Sequence, residues 1–456
     1  MKIFNTLSGK KEDFVPLEKN KIKMYVCGMT VYDDTHIGHA RTFLSFDLIV
    51  RYLRSINYEV HYIRNITDVD DKIISRAEEL NITPKELTKK YINSMNDDFN
   101  SLGMIEPDSE PRATDNIDSI ISLIKILIKK GHAYEGSSDV YFSAESFDSY
   151  GKLSRRNLED MLAGARVDID TDKKNPADFV LWKKNTEGLK WDSPWGEGRP
   201  GWHIECSAMS MDALGETFDI HGGGSDLKFP HHENEIAQSE CVTGKEFAKL
   251  WMHTGSLRID KEKMSKSLKN FVTIKDALQT HSSEVLRLFL ISSHYRSPLN
   301  YSHDGLEEAK QSLDRLYNSL QDLVYESKDY IQTEYSQKFH KAMQDDFNTP
   351  SALSVLFEMA RHINTLKKEN NIEKSSSLAK ELVTLSDILG LLQASPDKHF
   401  TEGIGTSDEE IEGYILMRNQ ARNNKDFDLA DKIRDELLEK GIVLEDKESG
   451  TTWKKS

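Results

Sequence analysis

Lys23–Asp71 reads KMYVCGMTVYDDTHIGHARTFLSFDLIVRYLRSINYEVHYIRNITDVDD, and its pattern decides the fold. Met24–Cys27 is a short apolar run with β-branched and aromatic members, which predicts a strand. A loop containing Gly28 and two aspartates follows. From His39 to Ile56 the apolar residues Phe43, Phe46, Leu48, Ile49, Tyr52 and Leu53 recur at helical spacing. Tyr58–Ile63 then alternates as a second strand. Strand, loop, helix, strand is a βαβ unit, and it predicts a parallel sheet. Ligands of such sheets sit beyond the carboxyl ends of the strands, where Cys27 and the segment His36–His39 fall.

The chain has 456 residues, room for about three domains at roughly 150 residues each. A hydrophobic content of 38%, with 25 Gly and 11 Pro, excludes a disordered or fibrous chain. Sixty Lys+Arg against 76 Asp+Glu leave a net charge of −16. That excludes a globally basic coat for nucleic acid, but not a local basic groove. The three cysteines, Cys27, Cys206 and Cys241, form no CxxC pair. They exclude a disulfide framework and point to a reducing compartment. The opening MKIFNTLSGKKEDF lacks the apolar run of a signal peptide, and no stretch reaches 18 apolar residues. The expectation is a soluble cytoplasmic protein with no membrane partner.

Pro111–Pro200 mixes a helix (Ile117–Lys130), short strands such as Asp139–Phe142 and loop-rich sequence, and reads as an insertion. GRPGWHIECSAMSMDALG then restarts a loop–helix pattern. FDIHGGGSDLKFPHHENEIAQSECV reads as strand, Gly-rich loop and helix, the second half of the same sheet. Beyond Leu306, apolar residues three or four apart (Leu353, Leu356, Ala360, Ile363; Leu378, Leu382, Leu385, Leu389) predict a helical bundle. Gln393–Glu409 is a linker by composition, and Ile411–Ser456 has a mixed helix–strand pattern. The predicted architecture is α/β: a Rossmann-like parallel-sheet domain with an insertion, then a helical bundle and a small C-terminal domain. Its segments are 1–110 and 201–255 for the two halves of the sheet domain, 111–200 for the insertion, 256–305, 306–392 for the bundle and 410–456.

Four motifs carry chemistry. His36-Ile37-Gly38-His39 lies where a strand hands over to a helix, whose free N–H groups and positive dipole end suit a phosphate. Gly38 lets a flat ligand approach the backbone. The plainer alternative is two helix-start histidines without a role. Lys263-Met264-Ser265-Lys266-Ser267 offers two cations and two hydroxyls to a triphosphate, or is a solvated loop. His231 and Glu235 are four apart and share a helical face, which is metal-ligand spacing as well as ion-pair spacing. Cys27 and Cys206, each read as lying in a loop at a strand end, would complete a tetrahedral zinc set. Otherwise they are two buried thiols. His221–Asp226, HGGGSD, follows the predicted strand Thr217–Ile220, and Asp226 suits a ribose hydroxyl or an amine.

HIGH and KMSKS together are the pair shared by class I aminoacyl-tRNA synthetases. MYVCGMTVYDDTHIGHART, NITDVDDKI, GRPGWHIECSAM, FDIHGGGSDLKFPHHENEIAQSE and the terminal GTTWKK resemble the cysteinyl-tRNA synthetase family. The resemblance runs along the whole chain. It implies one zinc ion per subunit on Cys27, Cys206, His231 and Glu235. It implies ATP, with Mg²⁺, on the loop from Met29 and Thr30 through His36, Gly38 and His39, with Asp226 and Lys266. The substrate pocket would be at Thr67, Trp202 and His221. His36, His39, Lys263 and Lys266 would then handle phosphate charge during activation. A cysteine substrate differs from serine by one atom, and zinc binds a thiolate far better than a hydroxyl, so the metal would read the side chain directly. The implied partners are L-cysteine, ATP and tRNA(Cys). The bundle and the C-terminal segment would hold the tRNA, Trp453 would stack on a base, and the enzyme would be a monomer. Cys241 has no counterpart in the family's zinc set.

The nearest rival is an ATP-dependent ligase joining cysteine to an amino-sugar acceptor, which has no need of the helical tail. A binding module that has lost catalysis would be expected to have damaged HIGH or KMSKS. A nicotinamide oxidoreductase would need GxGxxG in the first βα turn, which is missing. Residues 401–456 carry nine Lys+Arg and fourteen Asp+Glu. RNA binding there would rest on a few placed bases and aromatics, and would weaken steeply with salt.

Overall fold

The computed structural model describes residues 1–156, 172–184, 188–259, 262–263, 271–325, 332–401, 408–439, 441–447 and 450–455. The βαβ unit is present: β1 (Lys21–Val26), α1 (Ile37–Ser55) and β2 (Glu59–Arg64). β1 and β2 pair in parallel, Lys21 opposite Glu59 through Val26 opposite Arg64. Two further strands, β3 (Phe218–Gly224) and β4 (Ala248–Thr254), lie on the other side of β1. They complete a four-stranded sheet in the order β4–β3–β1–β2. Both added pairings are parallel, with Tyr25 opposite His221 and Trp251 opposite His221. The chain leaves β1 in one direction and returns at β3 in the other. The carboxyl ends of β1 and β3 are therefore the switch point at which a ligand crevice opens.

The glycine run is part of this sheet. His221–Gly224 was expected in a loop, but the strand extends to Gly224. The reason is packing. A Cβ on Gly222 would stand 2.4 Å from the ring of Phe46 on α1, so only glycine lets that helix lie so close to the sheet. Gly28, after β1, is comparable: a Cβ there would meet the Asn65 carbonyl oxygen at 1.7 Å. α1 buries Phe43, Phe46, Leu48, Ile49, Tyr52 and Leu53, the residues whose spacing predicted it, and Leu44 besides.

α2 (Asp71–Leu80), α3 (Pro84–Ser101) and α4 (Ile117–Lys129) follow β2. Between 133 and 200 the chain forms an antiparallel four-stranded sheet of its own, whose Val140, Phe142, Leu181 and Trp182 pack with the apolar face of α4. α5 (Trp202–Leu214) and α6 (Glu233–Thr243) flank the central sheet. Cys206 thus lies on a helix, not in a loop as expected. Further on come α7 (Ile274–Thr280), α8 (Ser283–Ile291) and α9 (His303–Leu320).

Contacts divide the chain into two units: 1–312 with 332–356 and 388–391, and 313–331 with 357–387 and 392–456. The second unit is helical. It includes α10 (Pro396–Thr401) inside the stretch expected to be a linker, where His399 stacks on Tyr317. Its last part is two helices, α11 (Asp408–Asn423) and α12 (Phe427–Glu439), and a hairpin of Ile442–Lys447 with Gly450–Lys455. Ile411, Ile415, Ile433, Leu437, Ile442 and Leu444 form its core. Among the described residues no helix is long and apolar enough to cross a membrane.

Candidate active site

Cys27 follows directly on β1, and its N–H donates to Gly222 of β3 at 3.0 Å. It therefore stands at the switch point. Cys206 sits in the second turn of α5, His231 in the irregular turn Lys228–His232, and Glu235 in the first turn of α6. One donor atom from each of these four residues lies within 4.8 Å of the other three, and all four are buried. Glu235 Oε1 is 3.3 Å from Cys27 Sγ and 3.1 Å from His231 Nε2. Its other oxygen, Oε2, meets His221 Nε2 at 2.8 Å.

Electrostatics favours a cation here. Burial, with Cys206 and Glu235 beside it, pushes the Cys27 thiol well up from its ordinary value. At Cys206 the hydrogen bond from Cys27 pulls down, but burial and the carboxylates of Glu235 and Glu205 outweigh it. Burial would raise Glu235 too, yet the His221 and His231 imidazoles, with hydrogen bonds from His221 and Cys27, bring it below the usual carboxylate range. Burial holds His231 neutral, at about 3. The site therefore offers one carboxylate, one neutral imidazole and two thiols that resist ionising unless a cation compensates. Two sulfurs, one nitrogen and one oxygen are a zinc set.

A second grouping, Cys27, His221, His232 and Glu235, is equally close. It has one thiol instead of two. His221 and His232 are also absent from the wall of the adjoining cavity, which Cys27, Cys206 and His231 line. The soft donors and the access to ligand both favour the first set. His221, expected at the substrate pocket, sits behind Glu235 and stacks on Trp251 at 4.3 Å. His232 bonds His253 at 2.8 Å, and His253 bonds Thr6 at 2.9 Å. His203 meets His231 Nδ1 at 2.9 Å and leaves His231 Nε2 toward Glu235. His203 and His221 are thus placed to orient the candidate ligands His231 and Glu235.

The cavity encloses about 230 Å³. Met29, Thr30, His36, His39, Thr67, Trp202 and Asp226, all expected here, line it, and Gly38 lies in the first turn of α1 beside it. Its floor is a continuation of the sheet: Val31 N donates to Thr67 O, and Thr67 N to Met29 O, both at 3.2 Å. His36 caps α1. His39 N donates to His36 Nδ1 at 3.1 Å and His36 N to His39 Nδ1 at 3.4 Å, with the rings stacked 3.5 Å apart. With both Nδ1 atoms accepting, each neutral ring carries its proton on Nε2. The first turn of α1 holds no acidic side chain, so its positive dipole end is not offset locally.

Of the second expected motif, Lys263 lies in a short strand and its side chain is outside the described residues, as is all of Lys266. The chain beyond it is placed: Ile37 N donates to Val272 O, Ile274 N to Thr35 O, and Phe271 meets the His36 ring edge-on at 4.9 Å. Trp453 is partly buried against the C-terminal core, opposite Leu444 in the hairpin. Cys241 is a buried core residue beside α4.

Residue-level reading missed Lys72 and Phe271 on the cavity wall; Tyr32, Asp33 and Asp34, also there, lie in the loop Met29–His39 expected to contact ATP, without having been singled out. It also missed His203, Trp251 and His253, for which no local spacing gives a signal. Glu205, beside Cys206, is fully buried with neither carboxylate oxygen hydrogen-bonded, and burial raises it well above its ordinary range.

Residues 13–311 match the family described as tRNA synthetases class I (C) catalytic domain, and 338–393 match the DALR domain. The chain is 54% identical, over all of both chains, to a cysteine–tRNA ligase of Hahella chejuensis. It is 55% identical, again over the full length of both, to one of Haemophilus influenzae. Among solved structures, methionyl-tRNA synthetase of Mycobacterium tuberculosis bound to methionyl-adenylate shares the fold at 13% identity and a TM-score of 0.59, covering 81% of this chain and 89% of that one. Fold, site and full-length identity together place the chain in the cysteine–tRNA ligase family of class I aminoacyl-tRNA synthetases.

Proposed function

We propose that the chain activates L-cysteine with ATP and transfers it to the 3′-terminal adenosine of tRNA(Cys), using one zinc ion to select the substrate thiolate. A single observation carries the finer part of this reading. The two thiols and the imidazole of the candidate zinc set open onto the same cavity as the His36–His39 helix start. Zinc bound there supplies a soft Lewis acid that favours a thiolate over a hydroxyl.

The rest is the work of the chain. Thr67 and Trp202 flank the amino acid, and Asp226 faces ATP. His36 and His39 present Nε2–H groups, and α1 its dipole end, to phosphate oxygens of ATP, which arrives with Mg²⁺. The cysteine carboxylate attacks the α-phosphate and pyrophosphate leaves. Such a reaction asks the protein mainly for position and charge stabilisation, and Lys263 and Lys266 belong to that charge. The adenosine hydroxyl then takes the cysteinyl group and AMP leaves. The second unit, with Trp453, holds the tRNA. The enzyme works as a monomer in the cytoplasm, where its three buried free cysteines stay reduced.

The test is cysteine-dependent ATP–pyrophosphate exchange followed by charging of purified tRNA(Cys). Both are expected. Exchange without charging would point instead to cysteine transfer onto another acceptor, such as an amino sugar.

A further inference from the structure

Away from the cavity, His281, His303 and Glu307 bring one donor atom each to within 4.8 Å of one another. His303 opens α9 and Glu307 lies four residues on, so both face the same side of that helix. His281 arrives from the end of α7, which it caps. Its ring stands edge-on to that of His303, with centroids 6.2 Å apart.

The hydrogen bonds around His281 carry the argument. The Thr280 hydroxyl donates to Ala277 O at 3.1 Å, so its oxygen is left to accept from His281 Nδ1 at 2.9 Å. A neutral His281 then holds its proton on Nδ1 and aims a bare Nε2 lone pair at Glu307 Oε1, 3.1 Å away. Two acceptors at that distance repel unless a cation lies between them. A metal with ligand bonds near 2.0–2.1 Å in tetrahedral array spaces its donors by roughly 3.3 Å. The Thr280 bond is the kind of outer contact that fixes the tautomer of a ligating histidine.

We propose that His281, His303 and Glu307 form a second divalent transition-metal site, with zinc-class chemistry, that clips the end of α7 to the start of α9. It differs from the buried set in having no sulfur. It is also solvent-accessible, since His303 is exposed and Glu307 half-buried. Water fills the remaining coordination, and the ion exchanges more readily than one on buried thiolates. α7 begins at the segment whose backbone bonds the start of α1, so the clip braces the helix leading away from the candidate active site.

The experiment is a Co²⁺ titration of the full chain after chelator stripping. Two ions per chain are expected. One should show the intense near-ultraviolet thiolate-to-cobalt band, the other only weak visible absorption. His303→Ala and, separately, Glu307→Gln should each remove the second ion and keep the thiolate band. Cys206→Ser should weaken the thiolate band and keep the second ion. Circular dichroism of the exposed-site variants should match that of the parent chain. Saturation of the parent at one ion would overturn the proposal and leave His281 and Glu307 as an imidazolium–carboxylate pair. A second ion that survives both His303→Ala and Glu307→Gln would overturn it as well, as adventitious binding only.

Discussion

His221 Nε2 stands 2.8 Å from Glu235 Oε2, and both side chains are wholly buried. The pair links β3 to α6 and turns the other carboxylate oxygen toward Cys27 and His231. His221 is thereby placed to orient the candidate ligand Glu235 from behind the site. Outer partners of this kind typically govern metal affinity by about 10- to 100-fold. Replacing His221 with Ala should weaken zinc binding by that order, read in competition with a chromophoric chelator, while Cys27 and Cys206 remain in place. Unchanged affinity would show that Glu235 needs no such support.

The capping of α1 by His36 can be separated from its proposed contact with phosphate. Asparagine is also a good cap, so His36→Asn should leave the melting temperature nearly unchanged. It removes the Nε2–H offered to phosphate, and the loss of one well-placed donor costs about 10²- to 10³-fold. ATP–pyrophosphate exchange should fall by that order in a protein of parental stability. Full exchange activity in this variant would restrict His36 to capping.

Arg287 is buried against Asp47 and also donates to Leu389 O at 2.7 Å and Leu102 O at 3.1 Å. Burial lowers its pKa even with Asp47 alongside, so the pair holds together through its full set of partners. Arg287→Ala would leave Asp47 buried with less compensation, at a cost of about 3–5 kcal/mol. The urea midpoint of the unit that contains it should drop accordingly. A midpoint within experimental scatter of the parent would refute this reading.

Burial, with His221 and Lys228 adding to it, holds His253 at about 3, below the roughly 6.5 of an exposed imidazole. As pH falls, the unfolded chain takes up this proton first. Stability present above pH ~6.5 is therefore lost on the way down, by up to about 1.4 kcal/mol per pH unit from this group. His253→Gln should flatten the acid limb of a plot of stability against pH by about one proton. Parallel limbs for parent and variant would contradict it.

The βαβ unit was legible because Lys23–Asp71 keeps one period per element, and because His36 caps the helix that the apolar spacing predicts. The pairing of His231 with Glu235 was legible too, although His231 lies in the irregular turn just before α6 and not on the helix itself. The placement of Cys206 was not. α5 is buried on most of its faces, with polar Glu205, Ser207 and Ser210 among the buried residues, and so gives no clear apolar stripe to read. His221–Gly224 misled for another reason: glycine usually marks a loop, but between two parallel strands under α1 it is what allows Phe46 to pack. His203 comes from α5, and Trp251 and His253 come from β4; only the folded sheet brings them to His231, His221 and His232 around Glu235.

On the proposed mechanism, a zinc ion on Cys27, Cys206, His231 and Glu235 tells cysteine from serine. The most direct measurement is amino-acid-dependent ATP–pyrophosphate exchange by the zinc-loaded chain with each substrate in turn. Robust exchange is expected with L-cysteine, and with L-serine a rate lower by at least about 10³-fold, beyond what a size-selective pocket achieves. Comparable rates with the two amino acids, or no exchange with cysteine, would contradict it.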